Sequence, residues 1–341
     1  MSDLFSKLKP NNGYVIAEIA CGHEGSPSKL KKLIDCAVIS DCQIIKFQIF
    51  KTYERAIKGH KEWSIFDKLE LSNEEWKRQI EYAKTKELHV FADVYGYDSF
   101  KLAQQMDIDG YKIHSEDLLN TEFILEVCKS KKIVMIGVGG AKRKEIAELL
   151  KQINMNAPFS KIILMTGVQT FPTPIEAHSI REVSDLVSKY SKYGLKVGFS
   201  DHVDGSLNES FILPLMAFAA GAGVIEKHLT FDRKDKWIDY HSALSFNDFK
   251  DFIKQIKLLC GLLDKIGKMN DFEKSYRKMF KKSPAFSDNF EKDHVLRNKD
   301  IVYVKDVENS IPIASHTLIG KKINSSVNKN QLIKLNTLSP N

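Results

Sequence analysis

No stretch of this chain offers the ~20 consecutive apolar residues that a helix needs to cross a bilayer. Its opening, MSDLFSKLKPNNG, has neither the apolar core nor the small-residue cleavage site of a secretory leader. The expectation is a cytoplasmic chain that meets no membrane. Cysteine is scarce too: Cys21, Cys36, Cys42, Cys128 and Cys260 are odd in number and show no C-x-x-C spacing. That argues for reduced packing groups rather than a disulfide framework. The dinucleotide fingerprint G-x-G-x-x-G is absent, so the pair Gly139–Gly140 reads as close backbone approach to a ligand. Charge of one sign is not segregated, although 51 basic against 44 acidic residues leave a formal +7. Lysines alternate with acids in KLELSNEEWKRQIEYAKTKE, a solvated helix face, and no aromatic-plus-basic cluster points to nucleic acid. A mild positive field suits a small anionic substrate instead.

What is present is a globular composition, 43% hydrophobic and 28% charged over 341 residues, enough for one large domain and a small one. Short runs rich in Val, Ile, Leu and Phe recur at 14–19, 43–49, 88–93, 110–115, 132–137, 161–166, 195–200 and 223–228. Helix-period segments separate them. One starts with Ser26 before Pro27, and another with Ser72 three residues ahead of Glu75, a capping-box spacing. Eight such units within about 260 residues predict an α/β fold of the (β/α)8 barrel type, with an open doubly wound sheet as the second choice. The catalytic barrel is predicted over 1–270 and a charged linker over 271–283. A small, mostly β domain then runs over 284–341, with strand candidates in PAFSDNF, VLRNKDIVYVKD, IGKKI and QLIKL.

In a barrel the strand ends open onto one face, where active sites lie. The ends here carry Glu18, Lys46 with Gln48, Asp93, Lys112 with His114, Ser115 and Asp117, then the glycine pair, then Thr166 with Gln169. Ser200 with Asp201 and His202, and Glu226 with Lys227 and His228, complete the ring. A lysine in a strand as apolar as QIIKFQI or GYKIHS costs several kcal/mol to bury unpaired. Each could pair locally with Glu18, Asp93 or Asp117; two lysines and two histidines at one mouth point more simply to a bound anion. His202 and His228, on adjacent strand ends, can share a divalent metal. His23, His114 and His241 are further mouth candidates, each read as structural or substrate-contacting.

The motifs YVIAEIACGHEGSPSKLKKLID, IIKFQIF, LELSNEEW, YKIHSEDLLN, FPTP, GFSDHVDG and VIEKHLTFD stand in order and spacing like those of sialic acid (N-acetylneuraminate) synthases. The tail, KKSPAFSDNFEKDHVL and LIGKKINSSVNKNQLIKLNTL, resembles that family's antifreeze-like (SAF) domain. The resemblance implies condensation of phosphoenolpyruvate with an amino-sugar aldehyde to a nine-carbon 2-keto acid and phosphate. It implies a divalent metal, manganese first and magnesium or cobalt as alternatives, held by His202 and His228. Lys46, Gln48, Lys112, Ser115, Gln169 and Ser200 would bind phosphoenolpyruvate. Glu18, Asp117 and Lys112 would be catalytic, and Asp239, Tyr240 and Asp306 would face the sugar. It implies too a homodimer in which the antifreeze-like domain covers the partner's active site.

Departures fall mainly on the sugar side. The family's NHNG is GHEG, losing amides at Gly22 and Glu24; its STPFD is DVYGYD, with Val94 in place of a hydroxyl. Its PDHKAS is IDYHSA, with Tyr240 for a histidine, and the arginine of KRPGTG is Asp306. An aspartate can only accept where the arginine would donate. That raises the expectation of a different sugar aldehyde, one richer in donors than N-acetylmannosamine. Two other readings stand beside this one: a Schiff-base aldolase using Lys46 or Lys112, and a catalytically silent barrel serving as a scaffold.

Overall fold

A strand apolar on both faces needs cover on both, which a ring of parallel strands inside a ring of helices supplies. A computed structural model describing residues 3–157, 161–264, 267–305 and 313–339 shows this arrangement. The strands are β1 (Val15–Ala20), β2 (Ile44–Ile49), β3 (His89–Val94), β4 (Gly110–Ile113), β5 (Ile133–Gly137), β6 (Lys161–Thr166), β7 (Lys196–Asp201) and β8 (Val224–His228). They close in chain order, and β8 returns to pair in parallel with β1. The closure removes the open-sheet alternative.

Eight helices follow the strands: α1 (Pro27–Ile39), α2 (Asn73–Thr85), α3 (Tyr97–Gln105), α4 (Thr121–Cys128), α5 (Arg143–Asn156), α6 (Arg181–Tyr190), α7 (Glu209–Ala219) and α8 (Phe246–Cys260). Two short helices, Thr52–Arg55 and Trp63–Leu69, interrupt the path from β2 to α2. Ser26 caps α1 through the Lys29 amide, with Pro27 in the first turn. Ser72 caps α2 through the Glu75 amide at 3.1 Å, but the box stays open. The Glu75 carboxylate instead accepts from Gln79 at 2.7 Å and pairs with Arg78. A charged partner on the same helix face outcompetes the cap amide.

Alternate strand positions divide between two cores. Leu30, Leu33 and Phe252 from the helices pack with strand residues such as Ala17, Ile45 and Phe47 in the outer core. Inside the barrel, Ile16, Ile44, Phe91, Ile133, Ile163 and Val224 cluster with Leu4 and Leu8 from the N-terminal segment. This apolar plug seals the bottom. Two residues further along the strands the interior turns from apolar to charged.

The chain divides into two compact units, residues 1–264 and 265–341. The second contains a helix, α9 (Asp271–Phe280), within the stretch expected as a linker. Asn270 and Glu273 cap it reciprocally, which turns a charged run into a helix start. Strands β9 (Ser283–Phe286) and β10 (Ile301–Val304) pair antiparallel over a core of Phe286, Leu296, Leu318, Ile323, Val327 and Ile333. IGKKI and QLIKL contribute only isolated bridges, at Lys322, Ile323 and Leu332. Asp306 lies outside the described residues.

Gly167, just past β6, has φ +135°, and a Cβ there would stand 2.2 Å from the Ser200 carbonyl oxygen. Both the dihedral and the close approach demand glycine. Gly167→Ala should therefore cost roughly 1–3 kcal/mol of stability, read as a lowered calorimetric melting temperature; an unchanged melt would show that β6 and β7 can part without penalty.

Candidate active site

Register decides which charged side chains meet. Glu18 on β1 stands beside Lys46 on β2 and His228 on β8, and Asp93 on β3 beside Lys112 on β4. Ser200 on β7 lies beside Glu226 on β8. A register shift between Glu18 and Ala20 marks a bulge in β1, where Ala20 adopts φ 45° and its amide donates to Glu18 Oε1 at 2.6 Å. Bulges of this kind re-aim a side chain beside a site.

The side chains converge directly above the apolar plug. Lys46 pairs with Glu18 and, at 2.5 Å, with Asp93, and it lies 3.6 Å from Glu226. Lys112 pairs with Glu226 at 2.6 Å. Strands β4 and β8 are opposite each other in the ring, so this last pair spans the barrel interior. In the structure both lysines pair with carboxylates, and Lys112 pairs with Glu226 across the barrel rather than with Asp117.

Three carboxylates and two ammonium groups are buried together here, and a buried ion without a partner costs several kcal/mol. Glu18 resolves the imbalance. Burial pushes its carboxyl up to about 8, with Lys46 pulling against the shift and Glu226 and Asp93 adding to it. Glu18 thus carries a proton at neutral pH, leaving the layer formally neutral. Burial also works against the charge of Glu226, but Lys112 and Lys46 more than offset it and hold this carboxyl below its ordinary range. For Lys46, burial is outweighed by Asp93, Glu18 and Glu226, which keep it protonated beyond a free lysine.

Above the charged layer, the rings of His202 and His228 lie 5.3 Å apart, tilted by 50°. His202 Nδ1 is 2.9 Å from the Val168 carbonyl oxygen. A carbonyl only accepts, so Nδ1 bears the hydrogen and Nε2 keeps its lone pair. Burial lowers His202 to about 4 and, with the neighbouring His202 ring, holds His228 well below its usual value. Both imidazoles are neutral, the form in which histidine ligates metal. Among the described residues no third His, Cys, Asp or Glu joins them in a metal-holding group. The donor set fits a divalent ion held by two nitrogens, its other positions filled by water or ligand.

A cavity of about 590 Å³ opens over this floor, lined by Glu18, Gln48, Lys112, Gln169, His202, His228 and Asp239 among others. Lys46 is fully buried and does not line it. Asp239 sits at φ 67° and accepts from the Cys21 amide at 3.3 Å; burial raises its carboxyl pKa. Ser115, Asp117, Ser200 and Tyr240 are not among the lining residues. Ser115 and Asp117 form a 3-10 turn beyond β4, with Asp117 raised by burial and by Glu116. Ser200 Oγ is buried without a hydrogen-bond partner. Tyr240 stacks on His241, their ring centroids 3.9 Å apart. His23 is buried against Trp76, its Nδ1 accepting from the Gly25 amide, a structural role. A neighbouring cavity of about 610 Å³ is lined by Gly139, Gly140, Thr166, Gln169 and His178. Gln169 borders both spaces.

Residues that sequence reasoning passed over complete the mouth. Arg55, Glu62, Ile65, Phe66, Tyr95 and Glu116 line the cavity above the charged floor. Most come from the segment between β2 and α2, whose mixed charges gave no periodic signal.

The NeuB family profile matches residues 33–268. The chain is 25% identical over 336 residues to a pseudaminic acid synthase from Campylobacter jejuni, covering 94% of this chain and 95% of that one. It is 24% identical to an N,N'-diacetyllegionaminic acid synthase from the same species, with 94% and 98% covered. Its fold matches the crystal structure of an N-acetylneuraminic acid synthetase from Leptospira borgpetersenii, solved with citrate, at a TM-score of 0.68 and 24% identity. That match covers 78% of this chain and 92% of the other. With the family profile spanning well over half its length, the chain belongs to the NeuB family.

Proposed function

We propose that the protein joins phosphoenolpyruvate to an amino-sugar or related sugar aldehyde, forming a nine-carbon 2-keto acid and releasing phosphate. The observation that carries this reading is the pair of neutral imidazoles, His202 and His228, set over a floor that presents Lys112 to one cavity. Relatives named as pseudaminic acid, N,N'-diacetyllegionaminic acid and N-acetylneuraminate-9-phosphate synthases support the reaction class.

The mouth is electrostatically divided. The arc from β5 to β7 carries Gly139, Thr166, Gln169 and Ser200, which offer backbone amides, an amide side chain and hydroxyls. Phosphoenolpyruvate fits this arc, with Lys112 at its edge and the unpartnered Ser200 hydroxyl awaiting an acceptor. Gln48 and Ser115 would complete its contacts, while Lys46 acts from beneath by fixing Glu18 and Asp93. Carboxyl groups dominate the other arc, and the two neutral imidazoles, His202 and His228, would offer a cation nitrogen donors above them. A divalent ion there, manganese by the family resemblance, would supply Lewis-acid polarisation of the aldehyde oxygen. Glu18, proton-bearing at neutral pH and facing the cavity, would give its proton to the alkoxide formed from the aldehyde oxygen and regain one from the water that adds to C2. Asp239 would hold a sugar hydroxyl. Asp117 lies farther out and would act only after the turn at Ser115–Asp117 moves inward. The resemblance further suggests an antifreeze-like domain in the second unit and a homodimer, testable by sedimentation.

A Schiff base is disfavoured because both amines are engaged in ion pairs with carboxylates; borohydride with substrate should trap nothing. The function is tested by phosphate release from phosphoenolpyruvate across a panel of amino-sugar aldehydes. Release should be aldehyde-dependent, lost on chelation and restored by manganese. Absence of release with every aldehyde would leave the silent-scaffold reading in possession. Lys112→Ala should weaken phosphoenolpyruvate binding by at least tenfold in calorimetry, since a charge-assisted contact contributes ~1.5–3 kcal/mol. Unchanged affinity would make Lys112 a purely structural partner of Glu226.

A further inference from the structure

The short helix Thr52–Arg55 is held from both sides. Glu54 Oε1 accepts from the amides of Asp98 and Ser99 at 2.8 and 3.1 Å, tying it to the start of α3. Glu70 accepts from the Thr52 amide and hydroxyl at 2.7 and 2.9 Å. At the end of this fixed turn, the Arg55 guanidinium lies 3.9 Å from the Tyr95 ring centroid, 4.5 Å from that of Phe66 and 5.7 Å from that of Phe50. Three rings thus set its plane by cation–π contact. Its nearest carboxylate, Glu116, stands 3.7 Å from Nε, too far for a hydrogen bond. Arg55 Nε and the Tyr95 hydroxyl are both buried without a hydrogen-bond partner. A buried donor left unsatisfied costs free energy, and Arg55 and Tyr95 both line the cavity that holds Lys112, His202 and His228.

We propose that Arg55 reads the acyl group of an N-acylamino sugar aldehyde, its guanidinium donating to the acyl carbonyl oxygen while Ile65 and Phe66 receive the methyl. This rests on the condensation reading given above. Guanidinium offers a rigid fork of donors and no acceptor, which suits a planar carbonyl. Ile65, half exposed at 49%, and Phe66 line the same cavity and give the methyl an apolar seat. A phosphate on the aldehyde would meet Glu62 and Glu116 on this side, whereas a neutral amide would not. The turn is held without the ligand, so little ordering is needed on binding.

The test compares the metal-loaded full-length enzyme with its Arg55→Met and Arg55→Lys variants, using N-acetylmannosamine and mannosamine. The wild type should prefer the acetylated aldehyde. Arg55→Met should raise its KM at least tenfold, with kcat, the KM for mannosamine and the KM for phosphoenolpyruvate each within threefold. Arg55→Lys should recover part of the loss. Equal losses for both aldehydes, a raised KM for phosphoenolpyruvate, or a preference for N-acetylmannosamine 6-phosphate that Arg55→Met abolishes would overturn the assignment. If the wild type condenses no aldehyde of the panel, the condensation reading fails by itself. Calorimetric titration of N-acetylmannosamine then decides the subsite: binding at least tenfold weaker in Arg55→Met supports it, and equal or undetectable binding in both proteins overturns it.

Discussion

The pairing of Lys46 and Lys112 with Glu18, Asp93 and Glu226 inside the barrel constrains everything above it. Five ionisable groups from β1, β2, β3, β4 and β8 sit where a barrel ordinarily stacks branched apolar side chains. Such a layer adds little net stability, because the desolvation of each ion offsets much of the attraction. Removing a lysine or an ionised carboxylate would leave an opposite charge stranded, a loss of ~3–5 kcal/mol. The layer therefore fixes relative strand positions, above all across the ring from β4 to β8. It holds the floor of the cavity in one geometry before any substrate arrives, which is how fixed charges contribute most to a polar reaction.

The imbalance of the layer matters as much as its pairing. One carboxylate has no ammonium of its own, and the proton it keeps sits on Glu18, whose oxygen also receives the Ala20 amide at the β1 bulge. A site that must shuttle a proton near neutral pH needs a carboxyl displaced upward from its ordinary range. Here the displacement comes first from burial, opposed by Lys46 and reinforced by Glu226 and Asp93. The same burial keeps His202 and His228 neutral, so one desolvated environment prepares a protonated acid and two unprotonated bases at once.

The barrel was legible in the sequence because its strands are buried on both faces, and eight continuous apolar runs with capped helices between them admit few architectures. The strand-end chemistry was legible for the same reason: a lysine or a histidine in such a run is anomalous. What could not be read is contact at long range. Glu226 and Lys112 are 114 residues apart, and only closure of the ring places them opposite one another. Arg55 was hidden more thoroughly. Its segment, KTYERAIKGHKEW, mixes charges like any solvated helix face, and its cage comes from Phe50, Phe66 and Tyr95 in three separate segments. Glu75, three residues after its cap, shows the converse error, since a correct local spacing yielded to Arg78 and Gln79 on the same face.

These considerations bear on the choice of chemistry. An amine that attacks a carbonyl must first be a free base, and enzymes that use lysine this way depress its pKa with apolar surroundings or a second cation. Lys46 has the reverse environment, three carboxylates within 3.6 Å, and Lys112 is held at 2.6 Å by a carboxylate that itself stays ionised. Exposing either amine would require breaking the layer that positions the site. The imidazoles carry no such obligation: each is neutral, neither bonds a carboxylate, and both face the cavity. The ion pairs that keep the floor still thus leave His202 and His228, rather than the lysines, as the neutral nitrogen bases facing the cavity.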